Sequence, residues 1–272
     1  MSAKPYYVGI TGFMPTDPTG PLTALLPGSA QAHLGATHPG PKLMIGILAS
    51  EKTLNGIKNK WPHRYPEISE IGGIIADDVR VLNLVHYNSK NAEVALQLGL
   101  IHALAGMPSR LDGFQLNISW TDPDQIVEYL LWADKNLENG RNGQYIVQQI
   151  GGNAFEVISH NPKMLAKRLD RYEDSIDYIL LDPSDGLGQP YTADHFRPYL
   201  DELYSEHRTY GVGIAGGLAP GNLHVVVELA AEYPYLSIDA EGRLRDVNDD
   251  LDIGLATSYL SEALRIFRAF EG

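Results

Sequence analysis

The chain has 272 residues, of which 44% are hydrophobic and 20% are charged, the usual balance of a folded globular protein. Its 34 acidic and 21 scattered basic residues give a net charge of −13, which repels nucleic-acid backbones and anionic lipid and disfavours both as partners. The absence of cysteine excludes disulfides, thiolate catalysis and cysteine-ligated zinc.

Short apolar segments alternate with amphipathic segments along the chain. Several of the apolar segments are almost continuously hydrophobic, which is typical of parallel strands buried on both faces. We predict eight strands, at residues 6–10, 43–48, 81–86, 114–118, 145–150, 176–181, 212–215 and 236–238. Eight strands alternating with helices predict an α/β fold, a (β/α)8 TIM barrel, and the alternative is an open doubly wound sheet.

The segments between the strands carry helix signals. Asp122-Pro123 and Asn161-Pro162 each combine a capping residue with a proline suited to the first turn of a helix. Pro220 predicts a third helix start, after the seventh strand. The apolar residues that follow these signals recur at helical spacing, so we interpret them as stripes that face the core.

One segment departs from this regularity. Residues 11–42, after the first strand, are rich in glycine and proline and have a weak helix signal. A loop of this length in a compact domain is usually functional or disordered. We interpret residues 1–272 as one barrel domain whose first loop is either a lid over the barrel mouth or a loosely packed insertion.

In barrels of this type the active site lies at the C-terminal ends of the strands. The strongest signal there is the Gly216-Gly217 pair, between the seventh strand and a helix. Glycines let backbone amides approach a ligand, and a helix N-terminus attracts anions. The pair therefore predicts a phosphate site between the loops after strands seven and eight. The alternative is a tight turn without a ligand.

The second signal is a carboxylate at the end of the sixth strand. Leu180-Leu181-Asp182 is followed by Asp185 and by Gly186-Leu187-Gly188. At the barrel mouth Asp182 could exchange a proton with a ligand, with a pKa set by its surroundings. The alternative is an aspartate that only binds loop amides. Asp239 and Glu241 follow the eighth strand in the same way.

These motifs, in this order, resemble those of the phosphoribosylanthranilate isomerases. Residues 180–188 resemble the family's sixth strand and loop, and Ala-Gly-Gly-Leu-x-Pro-x-Asn at residues 215–222 resembles its seventh strand and phosphate loop. Weaker matches are Val-Gly-Ile-Thr at residues 8–11, Trp-Pro-His-Arg-Tyr at residues 61–65 and Phe-Gln-Leu-Asn at residues 114–117.

The resemblance implies a rearrangement of an aminated ribose phosphate, in which an acid protonates the ring oxygen and a base removes the proton from C2. It assigns the acid role to Asp182 and requires no cofactor. The phosphate-binding residues that it implies are Gly216, Gly217 and Gly242. The substrate-binding residues that we predict are Arg64, His86, Gln115 and Asn117.

Three positions depart from the family's pattern. Val8 stands where the family has the cysteine that acts as the base, and Asn117 stands where it has a histidine. Ala240-Glu241 precedes Gly242 where the family has a serine pair, and an inward Glu241 would repel a phosphate. The usual base is therefore absent.

A replacement base could be Asp185, His86 or Glu241. We rank Asp185 first because it shares a loop with Asp182, and neighbouring carboxylates push their pKa values apart. Asp182 and Asp185 are therefore the predicted catalytic residues. The pairing depends on whether the loop brings the two side chains together.

The leading prediction is an isomerase-like enzyme that acts on a phosphorylated sugar or aminosugar derivative. The alternative is a non-catalytic binder of a phosphorylated small molecule, which the valine at position 8 favours. No metal site is predicted, because the second strand offers no histidine or aspartate. A cytoplasmic location is expected, since no apolar run reaches the roughly 18 residues of a spanning helix. The oligomeric state is left open.

Overall fold

The computed structural model describes residues 5–28, 40–106, 110–138, 140, 143–172, 174–184, 191–205 and 209–270. Eight parallel strands close into a barrel in chain order, and the last strand pairs with the first. The predicted (β/α)8 barrel is confirmed. The strands are β1 (Tyr7–Thr11), β2 (Lys42–Ser50), β3 (Val81–Asn88), β4 (Gly113–Leu116), β5 (Tyr145–Ile150), β6 (Tyr178–Leu181), β7 (Gly211–Ala215) and β8 (Ser237–Ala240).

Helices follow the strands and cover the outside of the barrel. Within the described ranges, none is both long enough and apolar enough to cross a membrane. The helices are α1 (Gly20–Thr23), α2 (Glu51–Leu54), α3 (Val94–Leu104), α4 (Pro123–Asn136), α5 (Gly152–Val157), α6 (Pro162–Leu169), α7 (Ala193–Ser205), α8 (His224–Glu232) and α9 (Ile253–Arg268). Short 3-10 segments lie at Ile68–Gly73, Asp170–Tyr172 and Gly242–Leu244.

Two of the predicted helix starts are confirmed by their caps. The Asp122 side chain accepts a hydrogen bond from the backbone N–H of Asp124 at the start of α4. The Asn161 side chain accepts from the N–H groups of Lys163 and Met164 at the start of α6. Each cap satisfies backbone donors that have no partner within the helix.

The helix start predicted at Pro220 is wrong by four residues, because α8 begins at His224. The Asn222 side chain closes a turn before the helix. It accepts from the N–H of Ala219 at 2.8 Å and donates to the carbonyl of Gly217 at 2.7 Å. The proline thus lies in a loop that the asparagine holds together.

Side chains along β1 alternate between the inside of the barrel and the helices. Val8 and Ile10 belong to the large core between strands and helices, whereas Tyr7 belongs to a smaller core inside the barrel. We call that smaller core the apolar layer. Its members are Tyr7, Met44, Leu82, Leu84, Val147, Tyr178, Leu180 and Ala215.

The described part of the first loop packs against the barrel. Phe13 and Leu22 are fully buried, and α1 contacts α9. Arg80, just before β3, donates to the carbonyls of Leu26 and Pro27. The loop has therefore reached the N-terminal end of the strands by Leu26, so its described part connects the two ends of the barrel and does not stay at the mouth.

Candidate active site

The inward side chains become polar towards the C-terminal ends of the strands. We call this set the polar layer, and each member is more than nine-tenths buried. Its members are Thr11, His86, Gln115, Gln149, Asp182 and Asp239. Because buried polar groups are costly unless they bind one another or a ligand, this layer marks the candidate site.

Two neighbouring cavities, which share several lining residues, open at the polar layer. The deep pocket has a volume of about 50 Å³, and a cleft of about 1220 Å³ extends from it towards β2–β5. The deep pocket brings together most of the predicted site residues. These are His86, Gln115, Asn117, Asp182, Gly216, Gly217 and Gly242. Arg64 lies beside them in the cleft, with Trp61 and Lys60.

Asp182 follows directly after β6 and is held by neighbouring donors. Its Oδ2 accepts from Nε2 of Gln149 at 2.9 Å. Its Oδ1 accepts from Oγ of Ser184 at 2.6 Å and from the Ser184 backbone N–H at 3.2 Å. An amide nitrogen and a backbone N–H can only donate, so this arrangement suits a carboxylate, which only accepts.

The carboxylate of Asp182 also orients two glutamines. Gln149 turns its Nε2 towards Asp182, so its Oε1 is left to accept from Nε2 of Gln115 at 3.4 Å. Nε2 of Gln115 also donates to Oδ1 of Asn117 at 3.1 Å. Oε1 of Gln115 is buried and has no partner among the described residues. Gln115 lines the deep pocket, so the lining contains an acceptor that has no protein partner in the described part of the chain.

Asp239 is the second carboxyl group of the deep pocket, and burial dominates its chemistry. Its oxygens lie 2.9 and 3.2 Å from Oγ1 of Thr11. Burial raises the pKa of Asp239 to about 8, and the charges of Glu241 and Asp182 add to the rise, whereas the Thr11 hydrogen bond opposes it. Asp239 is therefore mostly protonated at neutral pH.

His86 lies next to the same threonine. Its Nδ1 is 3.4 Å from Oγ1 of Thr11, and its buried Nε2 has no partner in the described part of the chain. Burial lowers the pKa of His86 to about 3, so the ring is neutral. A Cβ at Gly46 would collide with the Thr11 hydroxyl and lie 2.8 Å from Cε1 of His86. Glycine on β2 therefore makes room for this contact.

Glu241 points towards Arg64, which changes its expected effect on a phosphate. Nη1 of Arg64 donates to Oε1 of Glu241 at 2.9 Å, and Nε of Arg64 donates to Oδ2 of Asp249 at 2.9 Å. The Glu241 side chain is one-quarter exposed but surrounded by protein, and burial raises its pKa while Arg64 opposes the rise. The ion pair offsets the charge that would repel a phosphate.

The predicted phosphate loop requires glycine. Gly216 has φ = 119° and Gly217 has φ = 64°, and other residues rarely adopt these backbone angles. Gly242, at the start of a 3-10 segment, lines the same pocket together with Arg243. Residues from the loops after β7 and β8 therefore line the deep pocket together.

The search for a catalytic base concerns two positions of the sequence, Asp185 and Val8. Asp185, ranked first as the base, lies outside the described residues. Val8, which matches the family's cysteine, faces the helices and is fully buried there. A base at position 8 could not reach the deep pocket, because successive strand residues point to opposite faces. The side chain of β1 that reaches the polar layer is Thr11.

Asp239 is the functional candidate that sequence reasoning named only as a strand-end residue. Its signal was the alternation in Ser-Ile-Asp-Ala, which places Ser237 and Asp239 on one face of β8. Within the described ranges no group of three or more His, Asp or Glu side chains is arranged to hold a metal ion.

No protein-family model matches the chain, and no curated protein matches its sequence. The likeness to the phosphoribosylanthranilate isomerases therefore rests on the motifs themselves. The fold is a closed eight-stranded parallel barrel, in agreement with that likeness at the level of architecture.

Proposed function

We propose that the protein is an enzyme that moves a proton on a phosphorylated sugar or aminosugar derivative, in the manner of the isomerases that its motifs resemble. The observation that carries the proposal is a pair of carboxyl groups, Asp182 and Asp239, that open into one deep pocket from different surroundings. Unlike surroundings give two carboxyl groups different protonation states, which acid–base catalysis needs.

The two carboxyl groups receive opposite roles. Asp182 accepts from three donors, so it is proposed as the proton acceptor. Asp239 has a pKa of about 8, so it is proposed as the proton donor at neutral pH. This assignment reverses the acid role that the resemblance gives to Asp182, and it does not need a base at position 8.

The rest of the pocket supports a hydroxylated, phosphorylated ligand. Oε1 of Gln115 is an acceptor for a sugar hydroxyl, and Asn117 lies beside it. The phosphate is proposed to bind the amides of Gly216 and Gly217, near Gly242. In this proposal Arg64 keeps its ion pair with Glu241 and does not bind the phosphate itself. Its positive charge offsets the negative charge of Glu241, which would otherwise repel the phosphate.

The proposal is tested by proton exchange, because removal of a proton from carbon can be followed without knowing the product. Phosphorylated aldopentoses and their N-aryl glycosylamines are incubated with the protein in D2O, and loss of the C2 proton signal is followed by NMR. We expect exchange with wild type and a fall of about 10²–10⁴-fold for both Asp182→Asn and Asp239→Asn. The control, Glu138→Gln on the exposed surface, should exchange like wild type.

Three other results of these experiments would contradict parts of the proposal. Undiminished exchange in Asp182→Asn would contradict its role as the proton acceptor. Calorimetric binding of the same compounds without exchange would identify the non-catalytic binder. No binding to folded wild type would overturn the ligand class.

A further inference from the structure

We infer that His86 is a tautomeric proton relay, which carries the proton of Asp239 through the Thr11 hydroxyl to Nε2 of the imidazole in the deep pocket. The inference deepens the proposed function, since it names the route from the buried acid to the ligand. The relay itself belongs to the protein without substrate, so it can be tested separately.

The geometry provides a continuous path. Oγ1 of Thr11 lies 2.9 Å from Asp239 on one side and 3.4 Å from Nδ1 of His86 on the other. The second link is longer than an ordinary nitrogen–oxygen hydrogen bond, so proton transfer across it requires the two side chains to move closer together. A hydroxyl can donate to one neighbour while it accepts from the other, so it can reverse its direction. The far end of the path, Nε2 of His86, is buried and has no partner among the described residues, and the His86 side chain belongs to the lining of the deep pocket.

The imidazole cannot act as a simple base in this position. Burial holds the pKa of His86 at about 3, so a charged ring is disfavoured. The ring can therefore take a proton at one nitrogen only while it releases one from the other. Such an exchange needs a partner at Nδ1, and Thr11 supplies it.

The two states of the relay balance in atoms and charge. In the first state Asp239 is protonated and donates to Thr11, Thr11 donates to Nδ1 of His86, and Nε2 carries a proton. In transfer, Nε2–H is broken to the ligand, the Thr11 proton moves to Nδ1, and the Asp239 proton moves to Thr11. The second state has an ionised Asp239, a Thr11 that donates to it and an Nδ1–H imidazole. The histidine is neutral in both states.

Among the described residues, four other titrating groups face Asp239. Asp239 faces the carboxylates of Glu241 and Asp182 on the pocket side and the phenols of Tyr7 and Tyr259 on the core side. Burial raises the pKa values of both phenols well above 10, so they stay neutral from pH 6 to 10. Glu241 is held by Arg64.

The relay predicts a tautomer change that NMR detects directly. The protein is labelled with 15N-histidine, and the two ring nitrogens of His86 are followed from pH 6 to 10. The His86 signals are identified by their loss in His86→Gln. In wild type we expect the Nε2–H form at pH 6, the Nδ1–H form at pH 10 and a midpoint near pH 8, without a charged ring at any point.

Matched variants separate the relay from simple packing. Thr11→Ser keeps the hydroxyl and should keep the change, whereas Thr11→Val keeps the shape and should abolish it. Asp239→Asn should fix one tautomer at all pH values. It also serves as the second test if Thr11→Val does not fold. In the exchange assay, Thr11→Val should be at least 10-fold slower than Thr11→Ser.

A wild-type tautomer that is constant from pH 6 to 10 would overturn the inference. A charged imidazole within that range, or a change that persists in Thr11→Val or Asp239→Asn, would do the same. A tautomer change without exchange on any tested compound would leave the relay standing and refute the proposed function. Exchange without a tautomer change would support the proposed function and refute the relay.

Discussion

The apolar layer and the polar layer occupy the same barrel interior, yet they have opposite effects on stability. Leu84 and His86 are two residues apart on β3, and Leu180 and Asp182 are two residues apart along β6 and its end. The leucine of each pair packs against other apolar side chains, whereas the residue nearer the C-terminal end of the strand brings a polar group into the protein. A distance of two residues along the strand therefore separates stabilising residues from candidate functional ones.

The comparison is most strongly tested in the apolar layer. Leu180→Ala removes a side chain that is 1% exposed, and we expect a loss of about 2–5 kcal/mol in the free energy of unfolding. Denaturant unfolding measures the loss. Leu131→Ala, on the outer face of α4, is the control and should change the value by less than about 0.5 kcal/mol. A similar loss in both variants would mean that the apolar layer does not dominate stability.

A substitution in the polar layer should change the free energy of unfolding in the opposite direction as the pH rises. Asp239 has a pKa near 3.8 when unfolded and about 8 when folded, so the folded state holds the extra proton between these values. The Asp239 contribution to stability is complete below pH 4 and is lost as the pH rises towards 8. As the pH rises over that range, the unfolding free energy of Asp239→Asn should increase relative to that of wild type by about 1.4 kcal/mol for each pH unit.

Unfolding of both proteins at pH 5, 6.5 and 8 measures this difference. The comparison between variant and wild type removes the contributions of titrating groups that do not interact with Asp239, such as Asp78 and Asp249, whose pKa values are lowered by arginine partners. A gap that stays constant with pH would show that Asp239 does not take up a proton on folding.

A smaller effect should distinguish the proposed phosphate loop at Gly216 and Gly217 from an ordinary turn. Gly217 and Gly56 both have a left-handed backbone, with φ of 64° and 63°. Alanine at either position should cost about 1 kcal/mol in unfolding free energy, because its Cβ crowds the backbone there. Only Gly217→Ala should weaken binding of a phosphorylated aldopentose in calorimetry, since Gly56 lies outside the deep pocket. Equal weakening by the two variants would place the phosphate elsewhere.

The sequence predicted the fold well because the signals for it are local. Apolar strand segments and the caps at Asp122 and Asn161 depend on neighbours within a few residues. The position of Asp182 at the barrel mouth followed from the rule on strand ends. The start of α8, four residues after Pro220, was not predictable, since it depends on the side-chain geometry of Asn222.

The site was less predictable because its partners are distant in sequence. Arg64 binds Asp249, and Thr11 binds Asp239, across most of the length of the chain. The register of the closed barrel decides these pairs, and it also turns Val8 towards the helices. A motif match supplies residue types in order, but it does not supply the direction in which each side chain points.

Gly46 has a consequence for how this site could be inherited. The hydroxyl–imidazole contact depends on a strand position without a side chain, where one added methyl group would separate Thr11 from His86. A single mutation to alanine should therefore disturb the proposed relay while every polar residue remained in the sequence. If the proposed function holds, a related barrel that kept both aspartates but lost this glycine is expected to bind its ligand without turning it over.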